Sequence, residues 1–171
     1  MGKMNSKTKK RTLYLCYGAL VAALYVALTY LSGLLGLSSG VIQVRFSEAL
    51  CILPIFLPSS VWGLSVGCLI SNILVPGTHP VDMIVGPLAT LIGALGTYAL
   101  RRYRWLAPLP AVLSNALIIP FVLSYAYGAE EAIPLMMLTV GLGEAISIYG
   151  IGGAFMLTAR KFLEKLGRQT V

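Results

Sequence analysis

Six side chains in this sequence are polar or charged where the surrounding residues are apolar: Arg45, Glu48, Asn72, Asp82, Asn115 and Glu144. The chemistry open to them is binding. A carboxylate accepts hydrogen bonds, a guanidinium donates a planar fork of them, and a primary amide does both. Other chemistry has little to stand on. His79 is the one histidine, so a His/Cys metal site has almost no ligands. Cys16, Cys51 and Cys68 lie in apolar runs without a CxxC pair and read as small buried hydrophobes. No GxxxxGK[ST] loop, HExxH motif or nucleophile elbow is present. The chain is therefore expected to be no enzyme, and to need no cofactor or metal.

The elements that hold these side chains are set by composition. The 171 residues are 57% hydrophobic and 11% charged, with a mean hydropathy of +0.84. A soluble domain carries about 25% charged residues, so the expected solvent is a bilayer. Residues 1–12 read as a basic cytoplasmic tail, 13–158 as one six-helix membrane domain, and 159–171 as a second basic tail. The spacing predicts spans near 13–31, 45–57, 60–75, 81–100, 105–127 and 133–157, each against the roughly 20 residues that a crossing takes. "SGLLGLSSG", "PGTHP" and "GAEEA" punctuate them. Pro54 and Pro58 shape the second helix, and Pro108, Pro110 and Pro120 are expected to bend the fifth.

The formal net charge is +7. Twelve of the thirteen basic residues fall in three clusters at helix ends: Lys3 to Arg11, Arg101 to Arg104, and Arg160 to Arg168. That pattern suits the positive-inside rule, with both termini cytoplasmic, and not a nucleic-acid surface. Arg45 is the exception. On this topology Arg45, Glu48 and Asp82 stand at outer helix ends, with Asn72 nearby and Asn115 deeper. Glu144 lies roughly 16 Å down, near the midplane. A polar outer half above an apolar inner half describes an outward-open pocket.

Plainer readings stand beside this one. Arg45 and Glu48 form a surface ion pair, or a helix start capped by Ser47. Asp82 caps the fourth helix, His79 is a loop residue, and Asn115 makes an interhelical hydrogen bond. Tyr25, Tyr30, Trp62, Tyr98, Tyr125, Tyr127 and Tyr149 include interfacial belt residues. Glu144 is hardest to dismiss, because a midplane carboxylate needs a partner, a proton or a ligand. Small residues recur every four positions at Ala19, Ala23 and Ala27, and at Gly63, Gly67 and Ser71. Packing within the bundle explains both stripes.

The strings "GALVAALYVALTYL", "IQVRFSEALCILPIF" and "GCLISNILVPGTHPVDMIVGPLATLIGA" resemble the substrate-binding S components of energy-coupling factor transporters, and among them the QueT family of queuosine precursor transporters. The resemblance covers most of the chain. It implies a six-helix subunit of a bacterial cell membrane that takes its ligand from outside. It also implies a transmembrane coupling subunit and two ATPase subunits as partners, docked on the Ala19, Ala23 and Ala27 face. The implied ligand is a 7-deazaguanine base, such as the 7-aminomethyl or 7-cyano form. One carboxylate, Glu144 first and Glu48 second, would accept its two adjacent N–H groups. Arg45, Asn72 or Asn115 would donate to its carbonyl, and Asp82 would favour a cationic aminomethyl group. Phe46 or a tyrosine such as Tyr149 would cover the ring. Two alternatives remain at this point: another vitamin-like ligand, or a structural membrane protein with none.

Overall fold

The computed structural model describes residues 6–37 and 43–170. Lys3, the rest of the first five residues, Val171 and the 38–40 end of the Ser/Gly break lie outside them. Among the described residues every regular element is helical: α1 Ser6–Leu34, α2 Ser60–Leu74, α3 Pro80–Ala99, α4 Leu109–Tyr127, α5 Ile133–Ala145 and α6 Gly153–Thr170. A 3-10 helix, Phe46–Ile55, precedes α2, and a π-helical stretch, Ile146–Gly152, fuses α5 and α6 into one rod. With that rod counted once, there are six helices. Four of them, α1, α3, α4 and the rod, are long and apolar enough to cross a membrane. The expected six full spans are thus four long helices and two shorter apolar ones.

The second helix departs most from expectation. Ten residues at about 2.0 Å each reach about 20 Å, short of a hydrocarbon core of about 30 Å. Pro54 sits inside it, where it has no N–H for an α-helical ladder. The segment is also no lipid-facing helix, since Ser47 to Pro54 are all buried. It is the internal pillar of the bundle, touching α1, α2, α3, α6 and the π turn.

A buried helix start must find partners for its free N–H groups. Here the Arg45 N–H donates to Ser147 Oγ at 3.2 Å, and the Phe46 N–H to Ser32 Oγ at 2.8 Å. Ser47 is no cap; its hydroxyl is buried without a partner. Two glycines of the last rod let the backbone of the pillar, and of Gln43 just before it, come close. A Cβ on Gly143 would stand 2.1 Å from the Gln43 carbonyl oxygen, and one on Gly152 2.6 Å from that of Ala49. The widened π turn carries Gly152, five residues past Ser147, round to that same side.

Around the pillar, sequence neighbours pack in order from α1 to α5, and α6 returns to α1. The α1–α2 seam is built from small residues. A Cβ on Gly63 would lie 2.5 Å from the Gly18 carbonyl oxygen, and one on Gly67 would lie 2.7 Å from Tyr25 Cβ. The Gly63, Gly67 and Ser71 stripe is therefore used inside the bundle, whereas Ala19, Ala23 and Ala27 are exposed. The helix ends also move. α4 begins at Leu109, so Pro108 and Pro110 flank its start and only Pro120 stands inside. The basic residues around 159–168, read as a tail, continue α6, and most of the N-terminal cluster belongs to α1.

This seam predicts opposite outcomes for two similar changes. Gly63→Val is expected to lower the thermal midpoint sharply, since overpacking costs about 1–3 kcal/mol or more. Ala23→Val, on the exposed face, is expected to leave it unchanged. Equal midpoints for the two variants would contradict the seam.

Candidate functional site

Each helix delivers its polar residue at its own repeat. On α3, Asp82, Gly86 and Thr90 follow one another at four-residue steps; on α2, Cys68 and Asn72 do the same. On α4 the pair is Asn115 and Ile119, and on α5 it is Val140 and Glu144. Four-residue neighbours share a face of an α-helix. Arg45 and Glu48 are three apart, which is the repeat of a 3-10 helix. All of these, with Gln43, line one cavity of about 450 Å³, little of it wide enough for a ligand atom as the side chains stand.

The six polar residues singled out from sequence therefore meet in one place. Phe46 and Tyr149 do not line it. Phe46 is held by its backbone at Ser32, and Tyr149, five residues past Glu144, packs on the apolar core. The lining residues that sequence reading missed are Gln43, Cys68, Gly86, Thr90, Ile119 and Val140. Most would have been found by stepping four residues from a residue already chosen.

The two carboxylates differ. Glu48 is 2% exposed and its oxygens are occupied: the Tyr25 hydroxyl donates to Oε1, and the Cys51 thiol donates to Oε2 at 3.2 Å. Glu144 is 8% exposed. Asn115 lines the cavity beside it, and the Glu144 Oε2 is buried with no hydrogen-bond partner. The expected Arg45–Glu48 ion pair is not formed; among the described residues the ion pairs are Arg104–Glu164 and Arg160–Glu164. Glu48 is satisfied from α1 and from its own helix, which leaves the half-buried Arg45 guanidinium free of a carboxylate.

Asp82 does not cap α3. His79 holds that position, and its Nδ1 accepts from the Val81 N–H at 3.3 Å. Asp82 Oδ2 instead accepts from the Tyr127 hydroxyl at 3.2 Å, and that hydroxyl accepts from the His79 N–H at 2.9 Å. Asn72 Nδ2 donates to the Asp82 carbonyl at 3.0 Å. Arg45, Asn72 and Asp82 also line a second cavity that reaches Gly77 and Thr78 in the α2–α3 turn. These three side chains form the partition between the inner cavity and that end of the bundle.

Chemically, the inner cavity presents a Glu144 oxygen without a hydrogen-bond donor and an Arg45 guanidinium that makes no direct ion pair with the carboxylates around it. An unmet buried polar group costs about 1–3 kcal/mol, and more if charged. Glu144→Gln is accordingly expected to raise the thermal midpoint of the ligand-free protein by a few degrees. Tyr25→Phe, which strips Glu48 of a donor, is expected to lower it. Melting curves of both variants check this, and a lowered midpoint for Glu144→Gln would contradict it.

Comparison with known proteins gives one consistent result. A family model described as QueT transporter matches residues 15–161. The queuosine precursor transporter QueT of Lactococcus lactis subsp. cremoris is 33% identical over 94% of this chain and 96% of its own length. No solved structure matches the chain. A multi-pass helical membrane chain, with buried polar groups gathered in one cavity, is thus similar along nearly its whole length to a transporter, and it belongs to the QueT transporter family.

Proposed function

We propose that this chain is the substrate-binding subunit of an ATP-driven importer of the energy-coupling factor type, and that its ligand is a 7-deazaguanine precursor of queuosine. The observation that carries this is the unpartnered Glu144 Oε2, buried in a cavity that also holds an unpaired arginine. A 7-deazaguanine ring offers what these groups lack. Its ring N–H and 2-amino N–H lie side by side, and one carboxylate accepts both. Its carbonyl stands next to that pair and takes a donor, which Arg45 supplies. Glu48, already filled by Tyr25 and Cys51, orients the pillar rather than the ligand. Asp82, at the partition, is the counter-charge for a protonated 7-aminomethyl group and favours that form over the neutral 7-cyano form.

The route follows from the placement of charge. Arg104, Arg160 and Arg168 sit at one end of the bundle, around the last residues of the pillar. Beyond the partition of Arg45, Asn72 and Asp82, the second cavity reaches Gly77 and Thr78 at the other end. With the basic end cytoplasmic by the positive-inside rule, the ligand enters from outside past Arg45, Asn72 and Asp82. Arg45 must swing for a bicyclic base to fit. ATP hydrolysis falls to two partner subunits, and the transmembrane coupling subunit docks on Ala19, Ala23 and Ala27, whose exposure leaves that face free.

The test is ligand-dependent thermal stabilisation of the purified chain. A ligand at a hundred times its Kd stabilises by about 2.7 kcal/mol, so 7-aminomethyl-7-deazaguanine is expected to raise the midpoint, while thiamine, riboflavin and biotin do not. Glu144→Gln is expected to weaken binding at least about tenfold, or about 1.4 kcal/mol. A shift with a vitamin and none with the deazaguanines would transfer the same cavity to a different ligand. No shift with any of them, in a folded sample, would contradict the proposal.

A further inference from the structure

At the opposite end from the ligand cavity, an open cleft of about 630 Å³ is lined by Arg101, Arg104, Arg160 and Arg168, with Glu164 as the only acid among its described residues. Its floor is apolar, made by Ile55, Phe56 and Pro58 where the pillar ends. The cleft is a built feature. Arg104 Nη2 and Arg160 Nε both donate to Glu164 Oε1 at 2.9 Å. Arg168 Nε donates to the Glu164 carbonyl at 3.3 Å. Arg101 stacks on Tyr98 with its guanidinium carbon 4.2 Å from the ring centre, and Arg104 lies over Phe56 at 5.8 Å. Gly167 fixes α6 against the floor, where a Cβ would stand 2.2 Å from the Phe56 carbonyl oxygen.

Each hydrogen bond named uses one nitrogen of its arginine. A guanidinium has five N–H groups, so most of the donors in the cleft remain open. Among the described residues one carboxylate faces four cations, and Glu164 binds two of them through a single oxygen. The surplus donors and charge call for an anion with several oxygens, for which a phosphoryl group is the matching chemistry. The surroundings choose its carrier. Trp105, next to Arg104, and Leu157, one turn before Arg160, are 57% and 66% exposed. Apolar surface beside a cationic cleft suits an amphipathic ligand, and basic pockets between transmembrane helices on the cytoplasmic side hold anionic headgroups.

We infer that this arginine cleft is a binding site for the phosphoryl headgroup of an anionic phospholipid, separate from the ligand cavity. It binds on the chain alone, before any partner joins, and holds α6 and the end of the pillar against the turn at 101–104.

The test uses the full chain in neutral detergent, titrated with short-chain phosphatidylglycerol, short-chain phosphatidylcholine or inorganic phosphate, with the thermal midpoint as readout. Phosphatidylglycerol is expected to raise the midpoint saturably, and phosphatidylcholine to leave it unmoved. Arg101→Gln with Arg168→Gln, both exposed positions, is expected to raise the half-saturating concentration roughly tenfold. Arg104→Lys with Arg160→Lys keeps the charge and loses the planar fork, and is expected to weaken binding even if the glutamine pair does not fold. Equal shifts from both lipids would overturn the site. So would an unchanged half-saturation in the folded variants. A matching shift from inorganic phosphate at the same concentration would overturn the lipid as occupant.

Discussion

A carboxylate buried in an apolar bundle must be met by donors, and this bundle buries two in one cavity. Burial of a charge without a partner costs several kcal/mol. Glu48 is met by Tyr25 and Cys51. Glu144 shares its cavity with Asn115 and keeps a buried oxygen, Oε2, without a partner. Arg45 lines the same space and closes on neither. That incomplete match is the feature on which the proposed ligand binding rests: donors supplied by a ligand would complete it.

The pillar makes the match possible. Arg45 and Glu48 reach the centre because a 3-10 helix, rather than a lipid-facing span, carries them there. It can lie inside the bundle because Gly143 and Gly152 remove the side chains that would hold it off, and because Ser32 and Ser147 take up its free N–H groups. The π turn is part of the same device, since it sets Ser147 and Gly152 against the pillar together. A rod of regular α-helix would rotate one of them away. The pillar's other end is the floor of the arginine cleft, so one element joins the two polar regions of the protein.

Much of this was legible in the sequence, and for physical reasons. Charged residues are so rare in an apolar chain that Arg45, Glu48, Asp82 and Glu144 stood out without any motif. The clustered basic residues indicated one end of the bundle, which Arg104, Arg160 and Glu164 share. What escaped was of two kinds. Length and hydropathy over 45–57 do not separate a short span from a buried pillar, and Pro54, which shapes the helix, does not say where it lies. Proximity along the chain pairs Arg45 with Glu48. Glu48 instead found Tyr25, 23 residues away, and left Arg45 to the cavity. Ring chemistry points to Phe46 and Tyr149, but it says nothing about which way a side chain faces.

The most direct measurement pairs one change in the protein with one in the ligand. Wild type and Glu144→Gln are each titrated with 7-aminomethyl-7-deazaguanine and with the analogue that lacks the 2-amino group. If Glu144 accepts the adjacent N–H pair, wild type loses at least about tenfold on the analogue, and the variant loses far less, so the two changes are not additive. An equal loss in both proteins would place the 2-amino group elsewhere and contradict Glu144 as the anchor.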